Sequence, residues 1–179
     1  LLVDSGLPVE ALGRYGSWLA QLIPLAFIHG HAPLSLVLKS YSLSFVLIDV
    51  VVFLFIALRL KDKEAAIALP LAKTVAFHYT FYYGISELNQ GLTLMVLLWA
   101  LLKRFFEPEG HTGRAALVIV TLTVWSSFYH QLLVFPLALV LAVEMHRKKL
   151  FRAKWFWGTS MLLLGWFAVR ILFFTRSSY

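Results

Sequence analysis

Tyr82-Tyr83-Gly84-Ile85-Ser86-Glu87-Leu88-Asn89-Gln90 joins two apolar segments that together run from Ala65 to Phe106. On each side stand about 20 mostly apolar residues, roughly what a helix needs to cross the hydrocarbon core of a bilayer. The joint holds a glycine, a carboxylate and two amides, with Tyr79, Phe81, Tyr82 and Tyr83 as flanking rings. Such rings gather where a membrane meets water. The far ends of this hairpin carry Lys61 and Lys63 on one arm and Lys103 and Arg104 on the other. Both far ends therefore lie on one basic side, and Glu87 lies on the opposite one.

Composition points the same way. Of 179 residues, 60% are hydrophobic and 14% charged, and the mean hydropathy is +0.80. Ordinary globular domains carry about 25% charged residues, and a soluble domain of this size cannot bury so much apolar surface. The expected fold class is all-α: a polytopic helical membrane protein of about six transmembrane helices plus an interfacial amphipathic helix. The net charge of +7 sits in short clusters between apolar runs. That is the pattern of loops beside anionic lipid and not of a nucleic-acid-binding face. With no cysteine in the chain, disulfides and thiolate chemistry are excluded. The chain starts without Met, shows no signal-peptide pattern and stops soon after an apolar run, so an internal piece of a longer protein is expected.

The chain divides into a non-cytoplasmic segment, 1–32, and a transmembrane bundle, 33–179. Within residues 7–23 the apolar positions Leu7, Ala11, Leu12, Tyr15, Trp18, Leu19, Leu22 and Ile23 alternate at helical spacing with Glu10, Arg14, Ser17 and Gln21. This reads as a helix lying in the interface plane. Pro24 and the Gly30–Pro33 pair then bracket a short apolar piece, too short to cross. Spans are expected over 33–58, 65–83, 88–105, 115–125, 132–143 and 155–174, with one long tilted or broken helix as an alternative for the short pair on either side of Tyr129-His130. The loops 59–63, 103–114 and 147–154 hold 3, 3 and 5 Lys or Arg, which is 11 of the 16 in the chain. Alternating spans put all three loops on one side, the cytoplasmic side by the positive-inside rule. An integral protein of the bacterial inner membrane is the expected setting.

Asp49 and Lys73 sit inside apolar spans, where a charge costs about 2.5–3.5 kcal/mol on insertion scales and usually faces a partner or a cavity. At about 1.5 Å of rise per residue, both lie roughly 14 Å from the basic side, so an intramembrane Asp49–Lys73 pair is expected. Lys39 and Arg170 lie nearer the outer ends, where snorkelling to the headgroups or contact with a lipid phosphate is expected. On the outer side Asp4, Glu10, Arg14, His29, His31, Glu87, Asn89, Gln90, Tyr129, His130 and Gln131 gather. A carboxylate beside a phosphate-binding cation suits acid–base chemistry. No metal site is assigned, because His29 and His31 lack a spaced third ligand.

Three stretches carry a family likeness: Val9-Glu10-Ala11-Leu12-Gly13-Arg14-Tyr15, His31-Ala32-Pro33-Leu34 and Ile85-Ser86-Glu87-Leu88. In their order the chain resembles the N-terminal membrane half of the GT-C superfamily, polytopic glycosyltransferases that use polyprenyl-phosphate-linked sugars. The resemblance implies a catalytic carboxylate in the first outer loop, at Asp4 or Glu10, and a second acidic position at Glu87. It implies phosphate contacts at Arg14, Arg170 and His130, the last standing where relatives carry Lys. It leaves a divalent cation open as cofactor and makes membrane lipid and a polyprenyl-phosphate-sugar the expected partners. Two other readings stand beside it. One is a transporter subunit working through Asp49 and Lys73, and the other is a non-catalytic subunit held by membrane-protein partners.

Overall fold

The computed structural model describes Gly16 and residues 18–79, 87–107 and 112–174. They form seven α-helices, with no strand among the described residues: α1 (Trp18–His29), α2 (Leu34–Leu54), α3 (Lys63–Tyr79), α4 (Glu87–Phe105), α5 (Gly113–Ser127), α6 (Val134–Arg147) and α7 (Lys154–Phe174). A π-helical turn, Phe55–Arg59, prolongs α2, and single 3-10 turns, Gln131–Leu133 and Leu150–Arg152, lead into α6 and α7. The all-α expectation holds. The count of about six spans does not follow from the helices themselves. Only Leu34–Arg59, with 26 residues, and Lys154–Phe173, with 20, are long and apolar enough to cross a membrane. The other helices of the bundle are shorter. Those of 15 and 14 residues, α5 and α6, measure about 22 Å against a hydrocarbon core of about 30 Å. They are also two helices and not one broken one.

The amino-terminal helix departs from expectation. Residues 7–15 of the expected interfacial helix lie outside the described residues, and α1 runs from Trp18 straight through Pro24 to His29. Gln21, expected on a wet face, is buried. A proline inside a helix leaves the carbonyl four residues back without its donor. Here that carbonyl belongs to Ala20, and the Ser44 hydroxyl of α2 donates to it at 2.7 Å. The hydrogen bond lost to Pro24 is thus replaced from the neighbouring helix, and α1 packs along α2 instead of breaking. Between them the backbone N–H of Ala32 donates to Phe27 O and that of His31 to Ile28 O, with His31 at a φ of 54°. These two bonds close the helix end in a Schellman turn, and Pro33 follows as the N-cap of α2.

Helix α4 is the shared wall of two cores. Its residues Leu94, Met95, Leu98 and Leu102 pack with Ile119, Leu137, Leu141, Phe156, Leu163 and Phe167 from α5, α6 and α7. Ala100, on another face, packs with Val52, Ile56, Ala65 and Leu69 from α2 and α3. The outward face of α2 and its π-helical turn is mostly apolar, with Leu34, Leu38, Leu43, Val46, Val50, Leu54 and Leu58 exposed beside Ser35, Lys39 and Ser42. Gly91 lets α4 close on the α5–α6 connection, because a Cβ there would run into Leu133, itself fully buried.

Gly91→Ala should therefore be destabilising in the native background. Overpacking costs about 1–3 kcal/mol, more than the roughly 1 kcal/mol gained in helix propensity. In a Leu133→Ala background the clash is gone and the same change should become neutral or stabilising. Equilibrium unfolding of the four proteins in detergent measures the coupling, and an equal effect in both backgrounds would refute the contact.

Candidate functional site

Three polar groupings stand out, one between α2, α3 and the first turns of α4, one at the α5–α6 connection and one at the opposite end of the bundle. The first joins α2, α3 and α4. Lys73 Nζ lies 3.0 Å from Asp49 Oδ1 and donates to the Asn89 carbonyl oxygen at 2.6 Å. The Thr93 hydroxyl donates to Asp49 Oδ1 at 2.5 Å. The two charges expected at equal depth on successive helices do meet. The pair is partly buried, with the Asp49 side chain 30% exposed. Such a pair persists where further hydrogen bonds fill its remaining polar capacity, and Thr93 and the Asn89 carbonyl supply them. Neither partner was legible beforehand, since a lone Thr in an apolar helix and a backbone carbonyl carry no signal of their own.

At one end of the bundle the chain before α1 meets the α5–α6 connection. The Gly16 N–H donates to Phe128 O at 3.2 Å, and Gly16 sits flush on the buried ring of Tyr129. An apolar cleft of about 390 Å³ opens beside this contact, walled by Trp18, Val120, Val124, Trp125 and Phe128. His130 uses its Nδ1 to accept from the Leu132 N–H at 3.2 Å, capping the 3-10 turn. Arg170 does not snorkel. It is buried at 6% exposure, with its guanidinium 5.2 Å from the centre of the Phe128 ring, because the α5–α6 turn covers α7 at that level. Lys39 is exposed. Asp4, Glu10, Arg14 and the stretch 80–86 lie outside the described residues. Glu87 opens α4, and its side chain lies outside them too. Next to it on α4, Gln90 is 1% exposed, and neither its Oε1 nor its Nε2 has a hydrogen-bond partner among the described residues.

The opposite end is a network of charges. Lys103 Nζ donates to Asp62 at 2.6 Å and to Glu64 at 3.2 Å, and Arg147 donates to Glu64 at 2.6 Å. Lys148 donates to the Lys103 carbonyl and lies 3.6 Å from Glu107, while Arg104 donates to the Leu60 carbonyl. The bends after α2, α4 and α6 are therefore tied together at one end. Just inside this network the fully buried Glu144 accepts from Trp99 Nε1 at 2.9 Å, and Lys103 lies over the Trp99 ring at 4.3 Å. Partial burial pushes the Asp62 carboxyl up, but hydrogen bonds from Lys103 and the Ala65 N–H outweigh it and hold the group below its usual range. Hydrogen bonds from Arg147 and Lys103 lower Glu64.

Among the described residues no three His, Asp or Glu side chains gather as metal ligands. No protein-family model matches the chain, and no curated protein and no solved structure matches it.

Removing one member of the central pair leaves the other charge without its partner. Lys73→Met or Asp49→Asn alone should each cost about 2–4 kcal/mol, while the double variant should be less damaging than either. Additive losses in thermal unfolding would show that the two groups are not coupled. Asp62 and Glu64 titrate below the unfolded values of about 3.9 and 4.3, so their stabilisation is present above about pH 4. It is lost as the pH falls through the lowered folded-state values. Asp62→Asn/Glu64→Gln should flatten the acid limb of the melting-temperature profile, and an unchanged limb would remove the network from acid stability.

Proposed function

We propose that this chain is the membrane half of a GT-C-like glycosyltransferase with about six spans, α2 to α7, seated in the bacterial inner membrane with its basic bends cytoplasmic. It would move a sugar from a polyprenyl-phosphate donor to an acceptor at the non-cytoplasmic end. The observation that carries this reading is the sorting of chemistry between the two ends. The three basic bends are bonded to one another at one end. Gly16, six residues after Glu10, is bonded to the turn beside His130 at the other. Glu87 opens α4, 19 residues long and about 28 Å from end to end, at the end away from Lys103 and Arg104.

In this reading Asp4 or Glu10 acts as general base and takes the acceptor hydroxyl proton as that oxygen attacks the anomeric carbon. The bond from that carbon to the lipid phosphate breaks with its electron pair going to the phosphate. Arg14, Arg170 and His130 stabilise the charge that develops there. Glu87 orients the acceptor.

Single replacements Asp4→Asn, Glu10→Gln and Glu87→Gln, assayed for transfer of labelled sugar in membranes, test the reading. Loss of a general base should lower the rate about 10²–10⁴-fold in at least one variant. Undiminished transfer in all three would remove the proposed site.

A further inference from the structure

At the basic end the acidic side chains are engaged within the fold: Asp62 and Glu64 with Lys103 and Arg147, Glu107 with Lys148, and Glu144 with Trp99. Of the cations they hold, Lys103 and Lys148 are largely covered and Arg147 is exposed. Around them Arg59, Lys61, Lys63, Lys149, Arg152 and Lys154 are exposed, and none has an acidic partner among the described residues. The surplus positive charge of this end is therefore peripheral and directed outward.

Three of these cations share one stiff corner. Lys149 turns the chain at a φ of 54°, and the Leu150–Arg152 turn follows. Trp157 Nε1 then donates to the Phe151 carbonyl at 3.0 Å, pinning the turn to the start of α7. Phe151, Trp155 and Trp157 are all exposed beside Lys149, Arg152 and Lys154. Beyond Trp157 the exposed face of α7 continues apolar through Met161, Leu162 and Val169.

We propose that this corner binds the phosphate headgroup of an anionic phospholipid, with Lys149, Arg152 and Lys154 on the phosphate and an acyl chain along Met161 and Leu162. Cations with unmet charge suit a phosphodiester, and indole rings settle at headgroup depth. The continuous apolar track selects a lipid over free phosphate or an acidic protein segment, neither of which would cover it. The proposal rests on the membrane reading above but not on sugar transfer.

The test uses the full chain in nanodiscs of phosphatidylcholine alone or mixed with phosphatidylglycerol. Phosphatidylglycerol should raise the melting temperature by several degrees and should stay bound in native mass spectra. Arg152→Gln/Lys154→Gln should weaken that retention by roughly 25-fold, taking each cation as worth about 1 kcal/mol or about fivefold. Higher ionic strength should weaken it in the unaltered chain, a readout that holds if the variant misfolds. Equal melting in the two lipids, salt-insensitive retention, or undiminished retention by a folded variant would overturn the proposal. A chain that washes off vesicles at alkaline pH would overturn the membrane reading itself, whereas one that stays embedded without lipid preference overturns this proposal alone.

Discussion

Lys73 is the point at which three helices are held to a common level. Its ammonium faces Asp49 of α2 and the Asn89 carbonyl of α4, and Thr93 completes the carboxylate's partners. A one-turn slide of any of the three helices would leave a partly buried charge without its partner, and an unpaired charge removed from water is costly. The contact therefore fixes register more sharply than the apolar packing around it, where leucines on neighbouring turns are nearly interchangeable. Helix α4 can serve as a wall for two cores because this tie and the Gly91–Leu133 contact hold it in place from two sides.

Much of the layout was legible because it depends on one-dimensional quantities. Run length, hydropathy and the spacing of Lys and Arg place the bends, and counting residues from those bends places Asp49 and Lys73 at one depth. What depends on direction around a helix axis was not legible. On α7 apolar residues occur all round, so nothing in the sequence says that Arg170 turns inward under Phe128 or that Phe156, Leu163 and Phe167 form the buried stripe. Glu144 gave no warning either. Its partner Trp99 lies 45 residues away, and a Glu three residues before Arg147 reads as part of a charged bend.

Pro24 misleads for a similar reason. Read locally, a proline ends or kinks a helix. The cost lies in an orphaned carbonyl, and a hydroxyl on another helix can meet it. Ser44 does so from 24 positions away, and the same hydroxyl also donates to Tyr41 O in its own helix. Local rules fail wherever a neighbouring element supplies the missing donor, which is a tertiary fact.

The register set by Lys73 also shapes the end where the proposed chemistry lies. Asp49 meets Thr93, and eleven residues further along the chain in each case Leu60, which caps the π-helical turn after α2, accepts from Arg104. Helices α2 and α4 therefore run in the same direction without slippage and finish flush at the basic end. Towards the other end α2 extends farther than the described part of α4. Asp49 is 15 residues past the start of α2 and Thr93 is six past the start of α4, a stagger of about 13 Å at 1.5 Å per residue. The α5–α6 turn is drawn against α4 through Gly91 and Leu133 and meets the chain before α1 at Gly16, so the α1–α2 hairpin continues past that turn.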